Sequence, residues 1–124
     1  MAKQILLVED DQFLATLLKM RLKKEGFAVM VARDGNEALE ALKKTKFDLV
    51  LMDIILPGKS GFEAMEQIVA NPQYGGKTPI MIISNLGQES DVNRGKELGA
   101  VEYFVKAQTP IDTLVEKIRN FLNK

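Results

Sequence analysis

The sequence predicts an α/β domain with a five-stranded parallel sheet, order 2-1-3-4-5, doubly wound with helices on both faces. Three observations carry this. Apolar runs alternate with amphipathic stretches, giving five strand–helix pairs in 124 residues. The runs Ile5-Leu6-Leu7-Val8 and Ile80-Met81-Ile82-Ile83 are continuously apolar, which suits strands covered on both faces, as in parallel sheets. The connections are short, with no repeat, linker or low-complexity segment, and right-handed crossovers then leave few topologies, of which 2-1-3-4-5 is the simplest.

Taken in order, Met1 to Gln4 lead straight into the first strand, which the acids Glu9-Asp10-Asp11 stop. Phe13, Leu14, Leu17, Leu18, Met20 and Leu22 recur at helical spacing, and Gly26 ends that helix. Ala28 to Ala32 form the second strand. Asp34 caps the second helix, with Glu37 three residues on and Ala38, Leu39, Ala41 and Leu42 along its apolar face. The run from Phe47 to Met52 is the third strand, closed by Asp53. Ser60 and Glu63 form a capping box for the third helix, which stops near Asn71-Pro72. Tyr74 to Thr78 form a loop, and Pro79 to Ile83 the fourth strand, closed by Ser84.

Gln88 to Leu98 read as a weak fourth helix, anchored by little beyond Val92 and Leu98, with Gly95 inside it at a cost of about 1 kcal/mol relative to Ala. Gly99 is its cap. Val101 to Val105 make a short fifth strand. Thr109-Pro110 open the last helix with Pro at its first position, and Ile111, Leu114, Val115, Ile118, Phe121 and Leu122 form its apolar face. The whole of 1–124 is expected to be one domain.

Composition narrows the chemistry. Hydrophobic residues make up 46% and charged residues 27%, as in globular rather than disordered chains. Lys plus Arg number 17 and Asp plus Glu number 17, so no net charge favours nucleic acid or an anionic membrane as partner. There is no Cys, which excludes thiolate chemistry and disulfides, and no His, the commonest general base and metal ligand. The apolar runs are too short to span a bilayer, and with no signal peptide a cytoplasmic location is expected.

The polar residues that end the strands define the candidate site. In a parallel sheet the C-terminal ends of all strands share one rim, and ligands bind outside it where strand order reverses. Glu9 and Asp10 follow the first strand, Asp53 the third, Ser84 the fourth and Lys106 the fifth. Three carboxylates together repel one another, which raises the pKa of at least one unless a cation intervenes. A hard divalent ion with oxygen ligands, Mg²⁺, suits them. Acids, a divalent ion, a Lys and a hydroxyl are complementary to a phosphoryl group.

At these residues the chain resembles the receiver domain of bacterial two-component response regulators, over essentially its whole length. The resemblance rests on Ile5 to Asp11, on Leu51-Met52-Asp53 with Pro57-Gly58 and Gly61, on Pro79-Ile80 through Ser84, on Gly99-Ala100, and on Tyr103 three residues before Lys106. It implies a flavodoxin-like fold and a phosphorylation-dependent signalling switch rather than an enzyme with an external substrate, the domain catalysing its own phosphorylation. Asp53 would be the phospho-acceptor. Asp10 and Asp53 would bind Mg²⁺ directly, Glu9 through water, and Ile55 through its backbone carbonyl. Ser84 and Lys106 would contact the phosphoryl group, and Tyr103 would report on it by changing rotamer. Asp11, just past the acidic pair, is expected to cap a helix. The donor would be a phospho-histidine on a histidine kinase or phosphotransfer protein, and the output a downstream protein meeting the face of the fourth helix, fifth strand and fifth helix.

The chain departs from the family pattern at two places. Ala107 follows Lys106 where Pro is common, so a trans bond is expected there. Asn85 follows Ser84 where a small residue is usual, and it could narrow access to Asp53 or hydrogen-bond the phosphoryl group. Ile55, Leu86 and Asn85 stand where family variation tunes loss of the phosphoryl group. Ile55 and Leu86 are apolar, which predicts slow self-dephosphorylation. Two other readings compete. One is a phosphorylation-independent interaction module on the same fold. The other is an Asp-nucleophile phosphatase, disfavoured because Ile55 occupies the place of its second acid. A flavin-binding domain is disfavoured by Glu9-Asp10-Asp11, which would repel a phosphate.

Overall fold

The computed structural model describes residues 2–75 and 77–123. Met1, Gly76 of the predicted loop and Lys124 lie outside the described residues. The elements alternate as β1 (Gln4–Val8), α1 (Gln12–Lys24), β2 (Ala28–Ala32), α2 (Gly35–Lys44), β3 (Leu49–Met52), α3 (Gly61–Ala70), β4 (Ile80–Ser84), α4 (Glu89–Glu97), β5 (Glu102–Val105) and α5 (Ile111–Leu122). Single 3-10 turns occupy Pro72–Tyr74 and Lys106–Gln108. All strand pairs are parallel and the order is β2-β1-β3-β4-β5, as the sequence predicts.

The continuous apolar runs divide between two cores because successive strand residues face opposite ways. Leu6, Val8, Val50, Met52, Ile80 and Ile82 pack with Leu39, Leu42, Phe62, Met65 and Ile68 of α2 and α3. Ile5, Leu7, Leu49, Leu51, Met81 and Ile83 pack with Leu18 and Leu22 of α1 and with Leu114, Val115 and Ile118 of α5. The central strands are therefore dry on both faces and can carry polar residues only at their ends.

Local signals place the helix starts. Asp11, Asp34 and Ser60 accept from the backbone N–H groups of Leu14, Glu37 and Glu63, and so cap α1, α2 and α3. Gly26 takes φ +94° just past α1, a left-handed step that favours glycine. Three expectations need correction. Pro110 precedes α5 rather than beginning it. Its ψ is extended, and its carbonyl accepts from Leu114 N–H, which is the bonding of a residue that flanks a helix. Phe13 and Met20 share the α1 stripe in sequence but are 80% and 61% exposed, since the face of α1 that meets the core is made by Ala15, Leu18 and Leu22, with Leu14 partly packed beside them.

The third correction concerns α4. Gly95 is its only buried residue, and it is not merely a cost. A Cβ there would stand 2.6 Å from Ile82 Cδ1 and 3.0 Å from Tyr103 Cδ2. The missing side chain lets this thinly anchored helix lie close against β4 and β5.

Candidate functional site

Register brings the strand ends together. Val8 pairs with Met52, so Glu9 and Asp53 emerge side by side, and Asp53 N–H donates to the Val8 carbonyl at 2.9 Å. Ser84 pairs with Val105, so Asn85 and Lys106 leave the sheet together.

Asp53 is 4% exposed. Its Oδ1 accepts from the N–H groups of Ile54 at 2.7 Å and Ile55 at 3.3 Å, and its Oδ2 from Lys106 Nζ at 2.8 Å. Glu9, 1% exposed, accepts from Asp11 N–H at Oε2, 3.1 Å. Lys106 Nζ also stands 2.8 Å from Glu9 Oε1, but that buried oxygen receives no well-aligned hydrogen bond. Burial holds the Glu9 carboxyl above its usual range; the Lys106 ammonium opposes the shift and the Asp53 charge adds to it. Burial works to lower the Lys106 ammonium, yet the contacts with Asp53 and Glu9 outweigh it and the net shift is upward.

Asp10 is exposed and completes the acidic group. One carboxylate oxygen from each of Glu9, Asp10 and Asp53 lies within 4.8 Å of the others. Three acids thus face one ammonium, and the buried Glu9 Oε1 has a charge contact with Lys106 but no well-aligned hydrogen bond. Both features fit a divalent cation with oxygen ligands. Asp11 is not one of these three acids and caps α1 instead.

The rest of the predicted set lies on β4, β5 and the neighbouring loops. Ser84 is fully buried, and its Oγ accepts from Leu86 N–H at 3.3 Å. Tyr103 is half-buried and donates its hydroxyl to the Leu86 carbonyl. Burial, with the charges of Asp91 and Asp53, pushes the Tyr103 phenol up, which keeps it a protonated donor. Ile55 is 59% exposed beside Asp53. Asn85 has a definite partner that its sequence position did not reveal, since its Oδ1 accepts from Ala107 N–H at 3.0 Å. No described peptide bond is cis, so the Lys106–Ala107 bond is trans as expected.

Two features of the site are not visible in the sequence pattern. Gly61 abuts the Asp53 and Ile54 backbone, where a Cβ would meet the Asp53 carbonyl oxygen at 2.2 Å. Asn85 and Ala107 look like separate departures in sequence and are one contact in space. A Gly at the first turn of a helix, three residues after Gly58, was the available hint for the first. Nothing in the sequence signals the second.

Residues 5–119 match the response regulator receiver domain family. The chain belongs to this family. The receiver domain is 40% identical over 121 residues to the transcriptional regulatory protein CpxR of Klebsiella pneumoniae, a match covering 98% of this chain and 50% of the relative. It therefore spans about half the length of the curated relatives it matches. Among solved structures, the non-phosphorylated HemR receiver domain of Leptospira biflexa superposes with a TM-score of 0.88 at 30% identity, covering 98% of this chain and 95% of that one. The receiver domain of the Pseudomonas aeruginosa sensor histidine kinase PA1611, described with magnesium in its active-site cleft, gives 0.86 at 25% identity with 100% of both chains covered. Among the described residues of this receiver domain, no helix is long and apolar enough to cross a membrane.

Proposed function

We propose that this receiver domain is a phosphorylation-controlled switch whose acceptor is Asp53. The observation that carries this is the buried Asp53 carboxylate, held by Lys106 on one oxygen and two backbone N–H groups on the other, beside two further acids. Glu9, Asp10 and Asp53, with the Ile55 carbonyl, would hold Mg²⁺, which when bound supplies positive charge for the phosphoryl oxygens. An Asp53 oxygen attacks phosphorus in line. The P–N bond to a donor imidazole breaks and the imidazole nitrogen keeps the electron pair. The chain has no His, so the donor belongs to a partner, a histidine kinase or phosphotransfer protein. Lys106 then pairs with a phosphoryl oxygen, and the Ser84 hydroxyl, which still has its proton to give, donates to another.

The output follows from the same loop. Leu86 joins Ser84 and Tyr103 through its N–H and carbonyl, so inward movement of Ser84 disturbs the Tyr103 contact and, next to it, α4. With Gly95 as its only buried residue, α4 is poorly anchored, as switching elements tend to be. Hydrogen exchange over residues 85–97 should change when a phosphoryl mimic is bound, and equal exchange in both states removes the switch. The α4–β5–α5 face is the proposed contact for a downstream protein. Because curated relatives are named transcriptional regulatory proteins, control of transcription is the output class favoured. The zero net charge of this domain argues against direct contact with DNA.

Slow loss of the phosphoryl group follows from Ile55 and Leu86, since neither side chain can orient an attacking water. Ile55→Asn with Leu86→Glu should shorten the half-life of the phospho-form severalfold. An unchanged half-life removes that role for both positions.

The direct test is incubation with Mg²⁺ and acetyl phosphate, read by mass. A stable phosphoryl gain that chelation prevents is expected. No gain favours a phosphorylation-independent interaction module, and sustained phosphate release at enzyme-like rates favours a phosphatase.

A further inference from the structure

The geometry points to Asn85 as a positioning residue for Lys106, acting through the backbone of Ala107; this rests on the acceptor role of Asp53 proposed above. The ladder between β4 and β5 ends at the pair Ser84 and Val105. Beyond it the Asn85 side chain adds one more link, its Oδ1 accepting from Ala107 N–H at 3.0 Å. That N–H lies in the single 3-10 turn Lys106–Gln108, where an early donor has no partner within the turn. A backbone N–H can only donate, which fixes the carboxamide with its oxygen towards Ala107.

Lys106 precedes Ala107 directly, and its ammonium must bridge Glu9 and Asp53 at 2.8 Å each. A Lys side chain has a flexible four-carbon stem, but holding both contacts at once limits where its backbone can stand. The turn has a second tether, from Thr109 Oγ1 to the Val105 carbonyl at 2.9 Å, but that bond lies within its own strand end. Among the described hydrogen bonds, Asn85 supplies the one that ties the turn across to β4.

The consequence is mechanical coupling. Residues 84–86 hold three partners at once: Ser84 Oγ the Leu86 N–H, Asn85 the Ala107 N–H, and the Leu86 carbonyl the Tyr103 hydroxyl. A shift of Ser84 towards a phosphoryl group would carry Asn85 with it and move the Lys106 backbone in the same step. Asn85 is thereby occupied as an acceptor towards Ala107, rather than free to serve only as a plug over Asp53.

Two measurements decide it. In the unphosphorylated protein, Asn85→Ala should raise the rate of reductive methylation at Lys106, followed by peptide mass, by roughly fivefold, the loosening that loss of one net hydrogen bond allows. Labelling of Asp53 by acetyl phosphate should slow by a similar factor in Asn85→Ala. In a Lys106→Ala background the Asn85 change should add nothing, because its effect runs through Lys106. Unchanged Lys106 methylation overturns the proposal, as does an Asn85 effect that persists without Lys106. If the wild-type chain takes no label at all, the acceptor reading fails, while the methylation comparison still decides the positioning role.

Discussion

Asp53→Ala should take up no phosphoryl group from acetyl phosphate and Mg²⁺ under conditions that label the wild-type chain. The substitution removes the attacking oxygen, so the loss is of kind rather than degree. The other two acids of the cluster cannot replace it. Glu9 is buried, with its Oε2 occupied by Asp11 N–H and its Oε1 against Lys106, and Asp10 is exposed with no pair of backbone donors like those of Asp53. Folding should survive. The variant removes the acceptor of the Ile54 and Ile55 N–H groups, which costs about 1–3 kcal/mol, but it relieves repulsion among three carboxylates and leaves Lys106 beside Glu9. Thermal unfolding checks the fold and mass spectrometry the label. A labelled Asp53→Ala chain would move the acceptor to another acid and end the case for Asp53.

Gly61→Ala should cost about 3 kcal/mol or more, as overpacking against immovable atoms does. The new Cβ would lie 2.2 Å from the Asp53 carbonyl oxygen and 2.8 Å from Ile54 Cα. These are backbone atoms and cannot turn aside, so either α3 retreats or the loop carrying Asp53 shifts. The Gly61 N–H, which donates to the Ile54 carbonyl at 2.8 Å, would be strained by either movement. Labelling at Asp53 should slow along with the drop in the urea midpoint. Gly58→Ala provides the contrast. Gly58 has φ +72°, and a Cβ added there would meet nothing within 4 Å, so the cost is only the left-handed backbone, about 1 kcal/mol. Equal costs at the two glycines would mean that the contact at Gly61 relaxes freely, and the steric argument would fall.

The fold was legible because its signals are local. Four-residue apolar runs ending in acids, caps at Asp11, Asp34 and Ser60, and glycine at position 26 each act within a few residues of themselves. The candidate site was legible for a related reason, since in a parallel sheet every strand delivers its last residue to the same rim. Glu9, Asp53, Ser84 and Lys106 could therefore be gathered without knowing any distance. The misreadings arose where a residue's partner lies far along the chain. Phe13 and Met20 belong to an apolar stripe by spacing, yet α1 meets the sheet on a narrower face and leaves them exposed. Gly95 is a helix-weakening residue by propensity, yet Ile82 and Tyr103 fill the space its side chain would take.

For this receiver domain, sequence pattern was enough for the order of elements, the parallel sheet and the acids, hydroxyl and Lys that line its rim, because alternation of periodicity and chain topology constrain those directly. Folding in three dimensions settled the finer matters. It assigned Lys106 to both Glu9 and Asp53, pressed Gly61 against the Asp53 backbone and joined Asn85 to Ala107. Each of these depends on ångström-scale separations between segments distant in the chain, and no periodicity or local propensity encodes such separations.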